Sequence, residues 1–365
     1  MIKFLELESQ TQEIDSEISE AILRVSRSGQ YILGPEVEKF ENSWAQYCQS
    51  SYCVGVSNGL DALKLALAAC GIGPGDEVLV PSNTFIATWL AVTHLGAQVV
   101  PVEPTLLDYN IDPSRVVEKI TSKTKAIIGV HLFGHPFDLH ALNKIAKEHN
   151  LFLIEDAAQA HGAEFNSKIL GAGSDVTCWS FYPGKNLGAF GDAGAVTTNN
   201  PEIVNRIKML RNYGSKEKYR NELLGFNARL DPMQAAVLNV KLNHLNRWNT
   251  RRKSVAGEFL QKINNNLIFL PNVAKNVSHA WHLFVIRTSK RDKLVRFLEH
   301  KKIQTIVHYP IPPHRQPIYA DLKFELPIAD MLADTSLSIP NRPNLTNEEI
   351  NYICETLNEW SDLNE

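Results

Sequence analysis

Lys185 stands in the stretch Ser180-Phe-Tyr182-Pro-Gly-Lys185-Asn-Leu-Gly188-Ala-Phe-Gly191-Asp-Ala-Gly194, among glycine, proline and aromatic residues rather than other charges. Glycine at this density lets a loop approach another body closely. Burial there would depress the amine from its usual pKa of ~10.4. The neutral amine is the form that attacks an aldehyde. A lysine in such a loop also has a structural reading, so its neighbours must decide.

The first neighbour is Asp156, in Leu151-Phe-Leu-Ile-Glu155-Asp156-Ala-Ala-Gln159-Ala-His161-Gly162. An apolar strand ends there in two carboxylates, with an amide and an imidazole close behind. Ligands of parallel sheets sit beyond the carboxyl ends of the strands, so Asp156 should face a crevice. An acid at that depth needs a cationic partner or a shifted pKa. A protonated pyridine nitrogen would serve; a structural ion pair or a metal-binding Asp/His cluster fits the segment equally well. The second neighbour is Ser57-Asn58-Gly59-Leu60-Asp61-Ala62-Leu63. A strand, a tight Asn-Gly turn and a buried helix start make an anion site from free N–H groups and the helix dipole. A capping turn without ligand explains the same residues. Lysine, acid and anion-binding helix start together favour a catalytic lysine.

The elements that must hold these residues follow an alternating pattern from about 53 to 200. Short apolar runs (Glu77 to Val80, Gln98 to Val102, Ala126 to Val130, Leu151 to Ile154) are separated by helical stretches. Runs apolar on both faces suit strands covered by helices, in an α/β domain with a mainly parallel sheet. Helices are expected over about 11 to 27 and after Gly34-Pro35, joined by the apolar connector Tyr31-Ile-Leu-Gly. A long polar helix over about 231 to 263 should bridge out of the domain. Beyond about 280, strands Trp281 to Arg287 and Ile303 to His308 flank a helix, Arg291 to Lys301, and a proline-rich loop follows. The expected division is a large domain, 1–245, and a small α+β domain, 246–365, that begins with the bridging helix. Gly71-Ile-Gly-Pro-Gly-Asp76 has GxGxG spacing after a helix and contains proline, so it reads as a turn, not a dinucleotide site.

Bulk properties narrow the class. Apolar residues at 44% and charged residues at 21% suit a soluble globular enzyme. A net charge of −3 without a basic run gives no reason to expect nucleic acid or an anionic membrane as partner. Five cysteines without a CxxC pair indicate neither a disulfide framework nor a zinc site. His131 and His135 straddle a strand end and a glycine, so packing is expected there and no metal. The opening MIKFLELESQTQEID turns polar within a few residues, unlike a signal peptide, and no apolar run approaches the ~20 residues needed to cross a bilayer. A cytoplasmic protein is expected.

In order, NGLDAL, VPSNTFIAT, VHLFGHPFDL, IEDAAQAHGA, SFYPGKNLGAFGDAGA, LRNYGS, GFNARLD and HYP resemble the DegT/StrS-type sugar aminotransferases, from about Tyr31 to the C-terminal region. These are fold-type I enzymes of pyridoxal 5'-phosphate (PLP), with the architecture of aspartate aminotransferase. The resemblance implies that Lys185 bonds to the PLP aldehyde and then shuttles the proton. It pairs Asp156 with the pyridinium nitrogen, sets Gln159 at the ring's phenolic oxygen and stacks Phe85 on the ring face. It gives the phosphate to Asn58, Gly59 and Ser180, and to Asn227 of a neighbouring subunit, hence a homodimer with shared active sites. Leu60 stands where the family often has a hydroxyl residue, and Ala193 where glycine is common. One branch of the family replaces the lysine with histidine and dehydrates; the lysine here favours transamination.

The expected reaction carries nitrogen from glutamate to the ketone of a nucleotide-linked deoxysugar, in deoxyaminosugar supply for lipopolysaccharide O-antigen or glycan biosynthesis. IHYPxPPH resembles the form in enzymes that aminate a 3-keto-6-deoxyhexose on dTDP. Amination at carbon 4, UDP or GDP sugars, other PLP chemistry and a non-catalytic PLP-binding regulator remain open. Tyr182, His308 and Tyr309 are candidates for the substrate wall. Arg229, then Arg315, are candidates for the donor carboxylate.

Overall fold

The computed structural model describes residues 1–361. Seven strands form its central sheet: β1 (Tyr52–Val56), β2 (Glu77–Pro81), β3 (Gln98–Val102), β4 (Thr124–Val130), β5 (Phe152–Asp156), β6 (Val176–Ser180) and β7 (Gly194–Thr198). Their order is β1-β7-β6-β5-β4-β2-β3. Only β7 runs against the rest, pairing antiparallel with both β1 and β6. The α/β class with a mainly parallel sheet is therefore as expected.

The apolar runs make strands because both faces are covered. Side chains alternate across a strand, so Val78, Val80, Ile128 and Ile154 enter one core. Leu79, Ile127 and Leu153, their chain neighbours, enter the other. Helix α3 (Gly59–Ala69) closes the first core with Ala62, Leu63, Leu65, Ala66 and Leu67, and the Asn58 side chain caps it by accepting from Asp61 N–H. Before it, α1 (Asp15–Ser28) stops at Gly29, whose φ of 70° suits glycine. Helix α2 (Pro35–Tyr47) starts on a proline and buries Val37, Phe40 and Trp44 on one face.

Helix α4 (Ile86–Thr93) follows β2. The expected continuous polar helix over 231–263 is two helices, α5 (Pro232–Leu242) and α6 (Leu245–Lys262), broken at Asn243-His244. The first is buried, with Ala235, Ala236, Val237 and Leu238 inside; only α6 carries the polar pattern. Leu245 at its start joins the large core, while Phe259 near its end joins a further core. That further core centres on the antiparallel pair β8 (Phe284–Arg287) and β9 (Ser336–Ile339). Ile2 packs there and Phe4 packs against the large core, so the chain's first residues touch both. The strand expected over Ile303 to His308 is reduced to isolated bridges, Ile2 with Ile303 and Ile306 with Ser338. The prolines from 310 onward cannot donate to a ladder and end the pairing. No helix among the described residues is long and apolar enough to cross a membrane.

A buried ion pair ties α2 to β1. Glu41 Oε1 accepts from Gly55 N–H at 2.8 Å and from Arg211 Nη1 at 2.5 Å, and the same Arg211 nitrogen donates to Gly55 O at 2.6 Å. Removing one partner strands the other charge inside the protein. Glu41→Ala should therefore lower the unfolding free energy by about 3–5 kcal/mol, read from chemical denaturation midpoints. An unchanged midpoint would contradict this account of the junction.

Candidate active site

The carboxyl ends of the strands open into a cavity of about 810 Å³. Val130 ends β4, Asp156 ends β5 and Ser180 ends β6, and all three line it, together with Asn58 and Gly59 after β1 and Phe85 after β2. This is where an open parallel sheet places its ligands. Lys185, Gln159, Tyr182, His308 and Tyr309 line the same cavity, so ten of the twelve expected site residues come together.

Strand alternation separates the two carboxylates of β5. Glu155 faces away from the cavity: its Oε2 meets His131 Nε2 at 2.8 Å and its Oε1 accepts from Thr177 Oγ1 at 3.0 Å. Asp156 faces in. Its Oδ2 accepts from Thr88 Oγ1 at 3.0 Å and its Oδ1 from Ala158 N–H at 3.2 Å. Burial raises its pKa against those two bonds and against the nearby positive charge of Lys185. His161 lies outside the cavity lining, with its ring centre 5.8 Å from Trp44 and 5.6 Å from Trp179, and burial drives it down to about 3. It is a neutral core residue.

Lys185 keeps part of its surface toward the cavity and is enclosed elsewhere. Burial pushes its ammonium down to about 8, with Asp156 pulling the other way. A turn fixes the loop, Lys185 N–H donating to Tyr182 O at 2.8 Å. The reversed strand β7 supports it from below, since Phe181 N–H reaches Ala193 O at 2.8 Å.

The start of α3 is an anion cradle. First-turn N–H groups of a helix have no partner within the helix. Asn58 takes that of Asp61, which leaves those of Gly59 and Leu60 beside the Ser180 hydroxyl. A Cβ on Gly59 would lie 2.6 Å from Ser180 Cβ, and one on Gly194 would lie 2.4 Å from Asn58 O. Only glycine allows helix start and strand ends to converge this closely. Asn58 spends its side chain on capping, its Nδ2 donating to Asp61 Oδ2 at 3.0 Å, so it offers an anion its backbone position, not its amide group.

Gln159 is held from both ends: Oε1 accepts from Phe133 N–H at 2.6 Å, and Nε2 donates to Tyr309 Oη at 2.9 Å. Phe85 is half exposed over the cavity, its ring 5.2 Å from that of Tyr309. His308 Nδ1 meets Ser338 Oγ at 2.8 Å, and burial with Lys185 nearby drives it down to about 4, a neutral imidazole.

Two candidate arginines stand away from this chain's cavity, as does Asn227, which is expected to act from a neighbouring subunit. Arg229 does not line it; its Nη1 donates to Asn212 Oδ1 at 2.8 Å and its guanidinium covers the Tyr213 ring at 5.2 Å. Arg315 lies on the surface, paired with Asp330 at 2.6 Å. Asn227 is exposed beside Asn212 and also outside the lining. Residues not singled out from the sequence take part as well: Thr88, the last residue of VPSNTFIAT, and from distant segments Phe4, Leu5, Arg252, His282, Asn341 and Arg342. Arg252 and Arg342 had no signal beyond their charge.

A depressed lysine amine, an inward acid and an anion cradle in one cavity of a parallel α/β sheet define the PLP-dependent aminotransferase class, and these residues fit that cofactor's aldehyde, ring nitrogen and phosphate. The chain belongs to the DegT/DnrJ/EryC1/StrS aminotransferase family, which it matches over residues 12–358. It is 49% identical to the dTDP-3-amino-3,6-dideoxy-alpha-D-galactopyranose transaminase of Aneurinibacillus thermoaerophilus, over 99% of each chain. It is 48% identical to the dTDP-3-amino-3,4,6-trideoxy-alpha-D-glucose transaminase of Streptomyces venezuelae, over 99% of this chain and 96% of that one. NtdA of Bacillus subtilis, solved with its cofactor PMP bound, superposes with a TM-score of 0.91 at 32% identity, over 98% of this chain and 84% of that one.

The lysine's environment sets a pH dependence. Below its pKa the amine is protonated and has no lone pair, so capture of PLP by stripped enzyme should accelerate as pH rises, with a midpoint near 8. Asp156 favours the charged amine, so Asp156→Asn should move that midpoint lower. Stopped-flow absorbance across pH reads both; a midpoint at the ordinary lysine value would refute the burial argument.

Proposed function

We propose that the chain transfers the amino group of glutamate to the ketone of a nucleotide-linked deoxysugar, a dTDP-linked 3-keto-6-deoxyhexose. The observation that carries the reading is the joint placement of Lys185, Asp156 and the α3 cradle in one cavity. The two transaminase relatives, both named for 3-amino sugars on dTDP, support the choice of sugar.

Bound PLP supplies an electron sink for the carbon that loses its proton. This chain supplies the rest. Asp156, held by Thr88 and Ala158, balances the positive ring nitrogen. Gly59, Leu60 and Ser180 hold the phosphate, and Phe85 covers the ring. Gln159, fixed between Phe133 and Tyr309, meets the ring's phenolic oxygen. Lys185 Nζ, poised near neutrality, takes and returns the proton in both half-reactions. Tyr182, His308 and Tyr309 form the wall against which the sugar lies, His308 as an uncharged hydrogen-bonding group.

The active unit in this reading is a homodimer that places Asn227 at the partner's phosphate site. Tyr213, Tyr219 and Leu224 near it are exposed, the last two almost fully. Apolar surface of that kind favours a covering subunit. The reaction belongs in the cytoplasm, in deoxyaminosugar supply for glycan biosynthesis.

Purified enzyme given glutamate and a panel of keto-sugar nucleotides should form 2-oxoglutarate in step with consumption of the dTDP-3-keto-6-deoxyhexose. Lys185→Ala should lower turnover by about 10²–10⁴-fold. Preference for a 4-keto, UDP-linked or GDP-linked sugar would reassign the substrate. Sugar dehydration without 2-oxoglutarate would overturn transamination.

A further inference from the structure

One histidine of the cavity has its protonation fixed by its neighbours. Asn186, the residue after Lys185, is buried, and its Nδ2 donates to Ala280 O and to Asn249 Oδ1, both at 2.9 Å. A backbone carbonyl only accepts, so the amide nitrogen must be the atom facing Ala280. Asn249 of α6 is oriented in the same way, its Nδ2 donating to His161 O at 2.8 Å. The remaining Asn186 atom is therefore its carbonyl oxygen, and it meets His282 Nδ1 at 3.2 Å. An oxygen that only accepts requires a hydrogen on that nitrogen. Burial, with positive Lys185 and Arg252 nearby, drives His282 well below its ordinary value, so the ring carries one hydrogen only. Its Nε2 is left with a bare lone pair. That nitrogen meets no donor among the described residues, and the ring lines the cavity. The ring nitrogens of His161, by contrast, are sealed in the core, while His282 Nε2 is not enclosed. His308 Nδ1 faces the Ser338 hydroxyl, which can donate or accept and so fixes nothing.

We infer that His282 Nε2 accepts a hydrogen bond from a hydroxyl that flanks the sugar ketone. This rests on the reading of the chain as an aminotransferase for a dTDP-linked 3-keto-6-deoxyhexose. An atom that can only accept selects among the molecules that enter the cavity. Carboxylate and phosphate oxygens carry lone pairs of their own and are repelled by it. Glutamate's one donor group is the nitrogen that it gives up. That leaves the neutral donors of the sugar nucleotide. Position then picks the hydroxyl. Asn186 ties His282 to the residue beside Lys185, and the ring lies within reach of that lysine's charge. The ketone must come to Lys185, so the groups near His282 are those on the adjoining carbons. In a 3-keto-6-deoxyhexose, carbons 2 and 4 both carry hydroxyls. A buried acceptor left without its donor is penalised, so the imidazole acts against a sugar that lacks the matching hydroxyl.

The test compares sugars that differ by one hydroxyl. Pyridoxamine-loaded enzyme is given the dTDP-3-keto-6-deoxyhexose, its 2-deoxy analogue or its 4-deoxy analogue. Return of the PLP absorbance is followed in single turnovers. Wild type should prefer the parent sugar to one analogue by about tenfold to a hundredfold, and that analogue names the hydroxyl. His282→Asn keeps a donor toward Asn186 but is too short to place an acceptor where Nε2 lies. Its preference should fall below about threefold. His282→Gln sets a carbonyl oxygen near that point while losing the Asn186 bond, and should keep the preference. Conversion of the PLP form by glutamate should change by less than about threefold in both variants. A merely structural imidazole predicts the reverse ranking, with Asn tolerated and Gln impaired in both half-reactions alike. That ranking, or a preference that survives in His282→Asn, overturns the inference. Should neither variant fold, wild type that handles both analogues like the parent sugar does the same. Wild type that takes nitrogen from glutamate but aminates no keto-sugar nucleotide would instead sink the proposed function.

Discussion

The site depends on keeping one amine nearly neutral beside an acid that would charge it. Asp156 attracts a proton to Lys185, while burial expels charge from the same space; burial wins, and the amine falls from 10.5 to about 8. That shift is worth roughly 3 kcal/mol between the two protonation states. The Thr88 hydroxyl and the Ala158 N–H hold the Asp156 carboxylate in place. A free carboxylate at ion-pair distance would lock the lysine as an ammonium. The structure joins the two without a direct salt bridge, so the charge of Asp156 stays available to a ring nitrogen.

The sheet makes that spacing rigid. Strands β4, β5 and β6 run parallel, so their ends deliver Val130, Asp156 and Ser180 to one rim. Reversal of β7 then returns the chain under the lysine loop, with Gly194 against Asn58. The loop is thus clamped by backbone pairing and by side chains from α5 and α6: Lys241 Nζ donates to Gly188 O at 2.7 Å, Gln234 Oε1 accepts from Phe190 N–H at 2.8 Å, and Asn186 Nδ2 donates to Asn249 Oδ1 at 2.9 Å. Close packing makes the cradle intolerant: a methyl group on Gly59 meets Ser180 at a distance no Cβ contact allows.

The cofactor half of the site was legible in the sequence because its residues sit at strand ends in short local motifs. Lys185, Asp156, Gly59 and Phe85 each follow an apolar run whose length fixed the strand, and Gln159 follows Asp156 at once. The side of the cavity built from distant segments was not legible. Arg229 and Arg315 bear the right charge, yet each already has a partner, in Asn212 and Asp330. Arg252 lies in a helix whose polar pattern suggests a solvent-facing arginine; only folding shows it buried. The same limit hid the break at Asn243-His244. Both halves of that stretch have helical periodicity, and which half is buried depends on α1 and α2, far away in the chain.

These differences follow from how the cavity is assembled. The large core fixes Lys185, Asp156 and the α3 cradle, while α6 and the small core present Arg252, His308, Tyr309 and Arg342. The second group hangs on a unit braced by the chain's own first residues through Arg342 and Glu6. The two cores are joined by shared elements: β8 gives Val285 to the large core and Phe284 and Ile286 to the small one, as α6 gives Leu245 and Phe259. Close packing transmits a change at either shared element to both groups of cavity residues.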